Sequence, residues 1–108
     1  MRKLRKNSMW QSSCFGWDGI GGVYCVCTGD VLPNGGGMIN FKVWYVGSSK
    51  NIGKRLMNNN HPYKILFSKG YMPFIRYIET TNYVKIEKRV VRLLNPPMNK
   101  QHRRIVFN

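Results

Sequence analysis

The segments GVYCVCT at residues 22–28 and FKVWYVG at residues 41–47 decide the fold that this chain is expected to adopt. Both are rich in β-branched and aromatic side chains, and the stretch 29–37 between them is rich in turn-forming glycine, asparagine, aspartate and proline. This pattern predicts an antiparallel hairpin with a long, flexible connection. If residue 24 pairs with residue 45 across the hairpin, the phenols of Tyr24 and Tyr45 emerge on one face of the sheet.

A short helix is predicted directly after the second strand. The hydroxyl of Ser48 or Ser49 can accept a hydrogen bond from the free backbone amides of its first turn. Ile52 and Leu56, four residues apart, then face the core, and Arg55 lies on the flank of the helix.

Three further elements complete the predicted domain. Residues 63–70 suit a second short helix, residues 73–79 a third strand, and residues from Thr81 or Asn82 to Leu94 a last helix. Together with the hairpin, they predict an α/β (α+β) fold, in which a small three-stranded antiparallel sheet is flanked by helices.

The last helix carries a carboxylate on its apolar side. At about 100° per residue, Glu87 falls inside an arc of six apolar residues: Tyr83, Ile86, Val90, Val91, Leu93 and Leu94. Burying an unpaired carboxylate is costly, so Glu87 must be neutralised, form a salt bridge to a basic residue or bind a cation. The basic residues of this helix lie on the opposite arc, which favours a partner across the sheet, and a divalent cation fits that position.

The composition indicates one small and strongly basic domain. The chain has 108 residues, with 18 lysines and arginines against four acidic residues and a formal net charge of +14, which attracts polyanions such as nucleic acids. A basic membrane-surface protein and a ribosome-associated protein are the alternatives. We divide the chain into a basic arm with glycine and tryptophan (1–21), a central domain (22–99) and a basic tail (100–108).

No apolar stretch is long enough to span a bilayer, and the basic N-terminus is followed by polar residues rather than a signal-peptide core. We therefore expect a soluble, intracellular protein without a membrane partner, in the cytoplasm or, in a eukaryote, the nucleus. The odd number of cysteines and the alternation of Cys25 and Cys27 in one strand favour buried thiols over a zinc site. Trp10 and Trp17 are expected to anchor the arm to the core, with stacking on bases as the alternative.

The tripeptides Gly22-Val23-Tyr24 and Tyr45-Val46-Gly47, with Arg55 ten residues after the second tyrosine, make the chain similar to the GIY-YIG nuclease superfamily. The resemblance covers residues 22–99. It implies a single metal ligand on the last helix and a supporting asparagine that ends a proline-containing segment. Its implied catalytic and supporting residues are Tyr24, Tyr45, Arg55, His61, Glu87 and Asn99, of which Glu87 holds the metal.

The chain departs from the superfamily pattern in four ways. Valine replaces isoleucine in both tripeptides, and the connection between the strands is longer than usual. Asn59 stands four residues after Arg55, where many members have histidine or tyrosine, so His61 takes that role from a loop, or is a surface histidine before a proline. There is also no obvious additional DNA-reading domain.

The resemblance implies a metal-dependent endonuclease that hydrolyses phosphodiester bonds in DNA, of the stand-alone mobile-element or phage type. Its cofactor would be one Mg²⁺ ion, with Mn²⁺ as the substitute. Arg55 would clamp the phosphate, Tyr24 would act as general base with help from nearby positive charge, and Tyr45 would position the water or phosphate. Five basic residues are expected to bind nucleic acid: Lys50, Lys54, Lys100, Arg103 and Arg104.

Other functions compatible with the same fold stay open. One is the nuclease subunit of a structure-specific DNA repair complex, and another is a nucleic-acid-binding protein that has lost activity. RNA is an alternative substrate to DNA. A protein partner or a homodimer would supply the substrate selection that the chain itself lacks.

Overall fold

The structure is a computed structural model that describes residues 10–13 and 16–99. These residues form a four-stranded antiparallel sheet with the order β1-β4-β2-β3 and three α-helices. The strands are β1 (Gln11–Ser13), β2 (Gly22–Val31), β3 (Met38–Ser49) and β4 (Phe74–Glu79), and the helices are α1 (Ile52–Leu56), α2 (Pro62–Ser68) and α3 (Tyr83–Leu94). The predicted α+β class is therefore confirmed, with one strand more than expected.

The additional strand comes from the segment interpreted as an arm. β1 pairs with β4, with Gln11 opposite Tyr77. A strand of three residues is too short to show a period of two, so the pattern could not reveal it. Trp10 and Trp17 pack against the two core clusters on opposite faces of the sheet, which confirms that they anchor this segment.

The central hairpin is longer than predicted. β2 and β3 pair from Gly22 opposite Ser49 out to Val31 opposite Met38, and a turn of 3₁₀-helix at Pro33–Gly35 lies in the connection. The prediction of a long, flexible loop was therefore wrong. Backbone pairing continues through polar residues, and the Asn40 amide donates a hydrogen bond across the hairpin to Asp30, at 2.8 Å.

The sheet is covered on both faces, as alternation along β2 dictates. One face carries Tyr24 and Val26 and is covered by α1 and α2 through Ile52, Leu56 and Leu66. The other face carries Val23, Cys25, Cys27 and Val46, and α3 packs on it through Val91. Ile52 and Leu56 are buried and Arg55 is exposed, as predicted for the short helix.

The apolar arc of α3 is only partly buried. Tyr83, Ile86, Val90 and Val91 pack against the core, but Leu93 and Leu94 are 73% and 44% exposed, contrary to the prediction. The reason is that these two leucines border an open apolar groove of about 250 Å³ that also contacts Trp10 and Phe41. The helix ends before Asn95 and the two prolines, as predicted, with Asn95 in the left-handed region.

Cys25 and Cys27 are free thiols in the core beneath α3, which confirms their interpretation as buried thiols. Burial raises the pKa of both to about 12, so neither is a reactive thiolate at neutral pH. Cys14 lies outside the described residues. Among the described helices the longest, α3, has 12 residues, and none is long and apolar enough to cross a membrane.

Candidate active site

Three of the predicted catalytic residues, Tyr24, Tyr45 and His61, lie in contact with one another. Tyr24 lies in the inner strand β2 and has no exposed surface. Its oxygen is 2.6 Å from Nε2 of His61, and its ring centroid is 6.2 Å from that of Tyr45. The ring of Tyr45 in turn meets the ring of His61 edge-on, at 5.3 Å. The two tyrosines and the histidine thus form one aromatic cluster.

The two tyrosines lie on the same face of the sheet, as expected, but the strands pair in a different register from the predicted one. Tyr24 pairs with Gly47 and Val26 pairs with Tyr45, rather than Tyr24 with Tyr45. Because the difference is two residues, the side chains stay on the same face of the sheet.

A β-bulge lies beside this pair. The register shifts between Val26 and Cys27, which pair with Tyr45 and Val43 respectively, so Trp44 is the extra residue of β3. In consequence Trp44 and Tyr45 both pack against the cluster that contains Tyr24, although they are consecutive in a strand. Bulges commonly reorient side chains next to active sites.

Gly47 leaves the space that the two tyrosines occupy. A Cβ atom at this position would lie 2.7 Å from both the Cζ and the hydroxyl oxygen of Tyr24, and 2.9 Å from Cε2 of Tyr45. These distances are shorter than real Cβ contacts allow. The glycine after Tyr45-Val46 is therefore required by the position of the tyrosines, not by a special backbone angle.

The surroundings of His61 indicate which ring nitrogen carries the proton. His61 is the N-cap of α2, and its Nδ1 accepts a hydrogen bond from the backbone N–H of Tyr63 at 3.1 Å. Burial, followed by the positive charge of Arg55, lowers the pKa of His61 to about 4, so the ring is neutral at neutral pH. A neutral imidazole whose Nδ1 is an acceptor has its hydrogen on Nε2. We therefore assign Nε2–H as the donor to the Tyr24 oxygen, which leaves the Tyr24 hydroxyl hydrogen free to point elsewhere.

Arg55 lies on α1, whose first turn is held by contacts that the sequence did not reveal. The N-cap is Asn51, whose side chain accepts from the backbone N–H of Lys54 at 3.2 Å, so the prediction of Ser48 or Ser49 was wrong. The backbone N–H groups of Ile52 and Gly53 donate to carbonyls of residues 20 and 17. The segment before β2 therefore satisfies the free amides of this five-residue helix and fixes the base of Arg55.

Electrostatics connect Tyr24 to the two charged candidates. Burial raises the pKa of Tyr24 well above its ordinary value, and Tyr45 and Glu87 raise it further. The positive charge of Arg55 lowers it. Arg55 and Glu87 are thus both within electrostatic range of the same phenol, from helices that lie on opposite faces of the sheet.

Glu87 reaches the sheet at its edge strand. It is half-buried on α3 and its Oε1 accepts a hydrogen bond from the Ser48 hydroxyl at 2.5 Å. Within residues 10–13 and 16–99 no cationic side chain forms an ion pair with this carboxylate. Among these residues, nothing supports the interpretation of Glu87 as part of a structural salt bridge. Its second carboxylate oxygen accepts no hydrogen bond from them.

The donor set around Glu87 suits a hard cation that keeps most of its own waters. The described part of the chain holds no group of three or more histidine, cysteine or acidic residues that could enclose a metal. Mg²⁺ commonly binds through one or two carboxylates, several waters and substrate phosphate oxygens. A single, hydrogen-bonded carboxylate fits that mode of binding, and it does not fit a zinc site, which needs three or four protein ligands.

Asn99 fixes the strand that carries Tyr45. Its side-chain oxygen accepts from the N–H of Val46, and its amide donates to the carbonyl of Val46, both at 2.8 Å. The N–H of Met98 donates to the carbonyl of Trp44. These bonds cover the free edge of β3 beside Tyr45, so Asn99 holds the backbone of the strand that carries this tyrosine.

The basic residues predicted to bind nucleic acid are only partly described. Lys50 and Lys54 are exposed and flank Asn51 at the start of the Arg55 helix. Lys100, Arg103 and Arg104 lie outside the described residues, so their prediction stays untested.

Comparisons with protein-family models, with curated proteins and with solved structures give no significant match to this chain. The site is therefore interpreted from its own residues. Sequence reasoning missed Ser48 as the partner of Glu87, because a serine after a strand is a strong signal for a helix cap. It also missed the role of Gly47, for which the signal was a glycine two residues after the second tyrosine.

Proposed function

We propose that this protein is a metal-dependent endonuclease of the GIY-YIG type that hydrolyses phosphodiester bonds in DNA. The observation that carries the proposal is the convergence on one buried phenol. Tyr24 is hydrogen-bonded to His61, stacks obliquely with Tyr45, and interacts electrostatically with Arg55 and Glu87. These five residues come from two strands, two helices and a helix cap. If Tyr24 only packed in the core, it would need no histidine, arginine or glutamate around it.

Arg55 is suited to hold the scissile phosphate. It is exposed, its backbone is fixed by the capped first turn of α1, and its planar guanidinium can donate two parallel hydrogen bonds to phosphate oxygens. With Lys50 and Lys54 exposed nearby in the chain, a polyanion would meet a positive surface as it approaches.

Glu87 would hold the divalent cation, with Ser48 orienting its carboxylate. When bound, the cation would supply Lewis-acid stabilisation of the charge that develops on the phosphate and the leaving oxygen. Ser48 donates to one carboxylate oxygen and leaves the other open, and this fixes the direction in which Glu87 presents its charge.

We assign Tyr24 as the general base: once its own proton has passed to solvent, the phenolate accepts a proton from the attacking water. Burial raises the pKa of Tyr24 and keeps the phenol protonated in the free protein. Three features lower this pKa. Arg55 lowers its pKa, the Nε2–H of His61 donates to its oxygen and favours the phenolate, and a cation at Glu87 would offset the negative charge that now raises the pKa. Tyr45, packed against both rings, would position the water or the phosphate.

The direct test is incubation of the purified protein with supercoiled plasmid and Mg²⁺, with and without a chelator. We expect nicked or linear DNA that disappears with the chelator and with Glu87→Gln. Binding of the plasmid without any cleavage would instead favour the nucleic-acid-binding protein that has lost activity. Absence of both binding and cleavage would overturn the proposal.

A further inference from the structure

A second concave surface lies next to the aromatic cluster. It is a groove of about 430 Å³ between the β2–β3 hairpin and the residues that follow α2. Its walls include the rings of Trp44 and Tyr71 and the side chain of Met72, and its polar part includes Lys42, Asp30 and Asn40. We propose that this groove, which we call the aromatic groove, binds one unpaired nucleotide of the DNA strand adjacent to the cleaved phosphate. The inference rests on the proposed function.

The aromatic part of the groove has the features of a stacking site. The ring centroids of Trp44 and Tyr71 are 5.3 Å apart, with the planes inclined at 59°. The indole N–H of Trp44 donates to the Thr28 hydroxyl at 2.8 Å, which fixes the ring. Tyr71 is 43% exposed and Met72 78%, so apolar surface faces solvent at this point. Exposed aromatic rings on a basic protein are the usual platforms for unpaired bases.

Charge in the groove is arranged for a nucleotide rather than for an apolar ligand. The ammonium of Lys42 lies 3.9 Å from the centroid of the Trp44 ring, where it can meet the phosphate of a base stacked beside it. At the other end, Asp30 and Asn40 are hydrogen-bonded to each other and exposed. A carboxylate repels phosphate but accepts hydrogen bonds from the amino group of a base, so this end suits a base edge.

The position of the groove connects it to the reaction. The β-bulge directs Trp44 and Tyr45 to the same face, so a wall of the groove and a predicted catalytic residue are neighbours in the chain. The groove and the aromatic cluster therefore lie on the same face of the sheet, where one DNA strand can contact both. A base inside a duplex cannot present its face to Tyr71, so the occupant must be unpaired or displaced from the stack. The groove thus favours DNA with an interrupted duplex.

The experiment compares two fluorescently labelled duplexes of equal length in the presence of EDTA, so that binding is measured without metal-dependent cleavage. One duplex is fully paired and the other carries two unpaired nucleotides at its centre. We expect the wild-type protein to bind the interrupted duplex about tenfold more tightly, the size typical of one stacked base. Tyr71→Ala should abolish that preference while binding the paired duplex as before, and Tyr71→Phe should keep it.

Phe67→Ala is the matched control, because Phe67 is an exposed aromatic residue that does not line the groove. It should leave both affinities unchanged, and thermal melting should confirm that each variant is folded. Equal affinity of the wild-type protein for the two duplexes, or equal losses on both with Tyr71→Ala, would overturn the inference and leave the proposed function standing. Failure to bind either duplex would overturn both.

Discussion

The Nε2 atom of His61 lies 2.6 Å from the hydroxyl oxygen of Tyr24, in a hydrogen bond between residues 37 positions apart in the chain. Because Nδ1 of His61 already accepts from the backbone of Tyr63, this bond runs from histidine to tyrosine. His61 therefore orients the phenol and favours its ionised form, but it does not take the proton of Tyr24. Because His61 is buried, its protonation also makes the stability of the folded protein depend on pH.

His61 should make the folded state less stable as the pH falls from 6.5 to 4. In that range the unfolded chain, with an ordinary histidine pKa, binds a proton that the folded chain excludes, because the pKa of His61 is lowered to about 4. The loss should reach on the order of 3 kcal/mol at pH 4. Urea unfolding of the wild type and of His61→Gln at several pH values measures it. The other titrating groups contribute equally to both proteins. If the unfolding free energies of the two proteins fell in parallel with pH, the lowered pKa of His61 would be contradicted.

Gly47→Ala should reduce cleavage by about 10²-fold or more, the loss typical of a displaced catalytic group. The added methyl group would lie 2.7 Å from the Tyr24 oxygen and force both tyrosines to move. Single-turnover cleavage at saturating protein measures the effect. Gly36→Ala is the control, because a Cβ at Gly36 would make only ordinary contacts and the backbone there has a negative φ. A Gly47→Ala protein with normal turnover would show that the Tyr24 phenol need not stay where it lies.

Arg55→Lys keeps the charge and loses the planar fork. We expect cleavage to fall by about 10²-fold, as when one transition-state donor is removed, with a small change in DNA affinity. Arg92→Lys on the exposed side of α3 is the matched control. If both variants cleave equally well, Arg55 is only part of the general basic surface.

Glu87→Gln preserves size and removes the charge that would hold Mg²⁺. Cleavage should disappear, while DNA binding without metal should be retained or tighten, because a negative charge near phosphate is gone. Ser48→Ala keeps the carboxylate and removes the one hydrogen bond that it accepts from the described residues, so its loss of cleavage should be smaller, about 10- to 100-fold. Glu79→Gln, an exposed glutamate at the end of β4, is the control for loss of charge. Cleavage by Glu87→Gln at the wild-type rate in Mg²⁺ would show that Glu87 is not the metal ligand.

The sequence predicted the shared face of Tyr24 and Tyr45 although it gave the wrong register, since an error of two residues preserves the side on which a strand residue points. It predicted the position of Glu87 inside the apolar arc of α3, because helical period alone determines that. It could not predict the cap of α1. Ser48, Ser49 and Asn51 are all good capping residues, and the choice depends on the segment before β2, whose residues 17 and 20 bind the backbone of residues 53 and 52.

The aromatic groove could not be predicted from the sequence either. Trp44 would face the α3 side in a regular strand, and only the β-bulge brings it to the side of Tyr71. No local residue pattern distinguishes this bulge from a regular strand pair, since it inserts one residue in a run of residues that all favour strands.

The division of labour between the tyrosines gives the last prediction. Tyr24 is fully buried and holds the hydrogen bond from His61, whereas Tyr45 is half-buried and packs against both rings. If Tyr24 is the base, Tyr24→Phe should abolish the chemical step and leave fold and affinity intact, and Tyr45→Phe should be milder.

Because burial keeps the pKa of Tyr24 well above its ordinary value, the phenolate fraction rises tenfold for each pH unit below that pKa. Single-turnover cleavage by the wild type, and by Tyr45→Phe, should therefore increase from pH 6 to 9. If any cleavage persists in Tyr24→Phe, it should lack that dependence on pH. A steeper loss in Tyr45→Phe than in Tyr24→Phe would transfer the role of base to Tyr45, and an unchanged pH slope in Tyr24→Phe would show that the proton leaves by a route that does not include the Tyr24 oxygen.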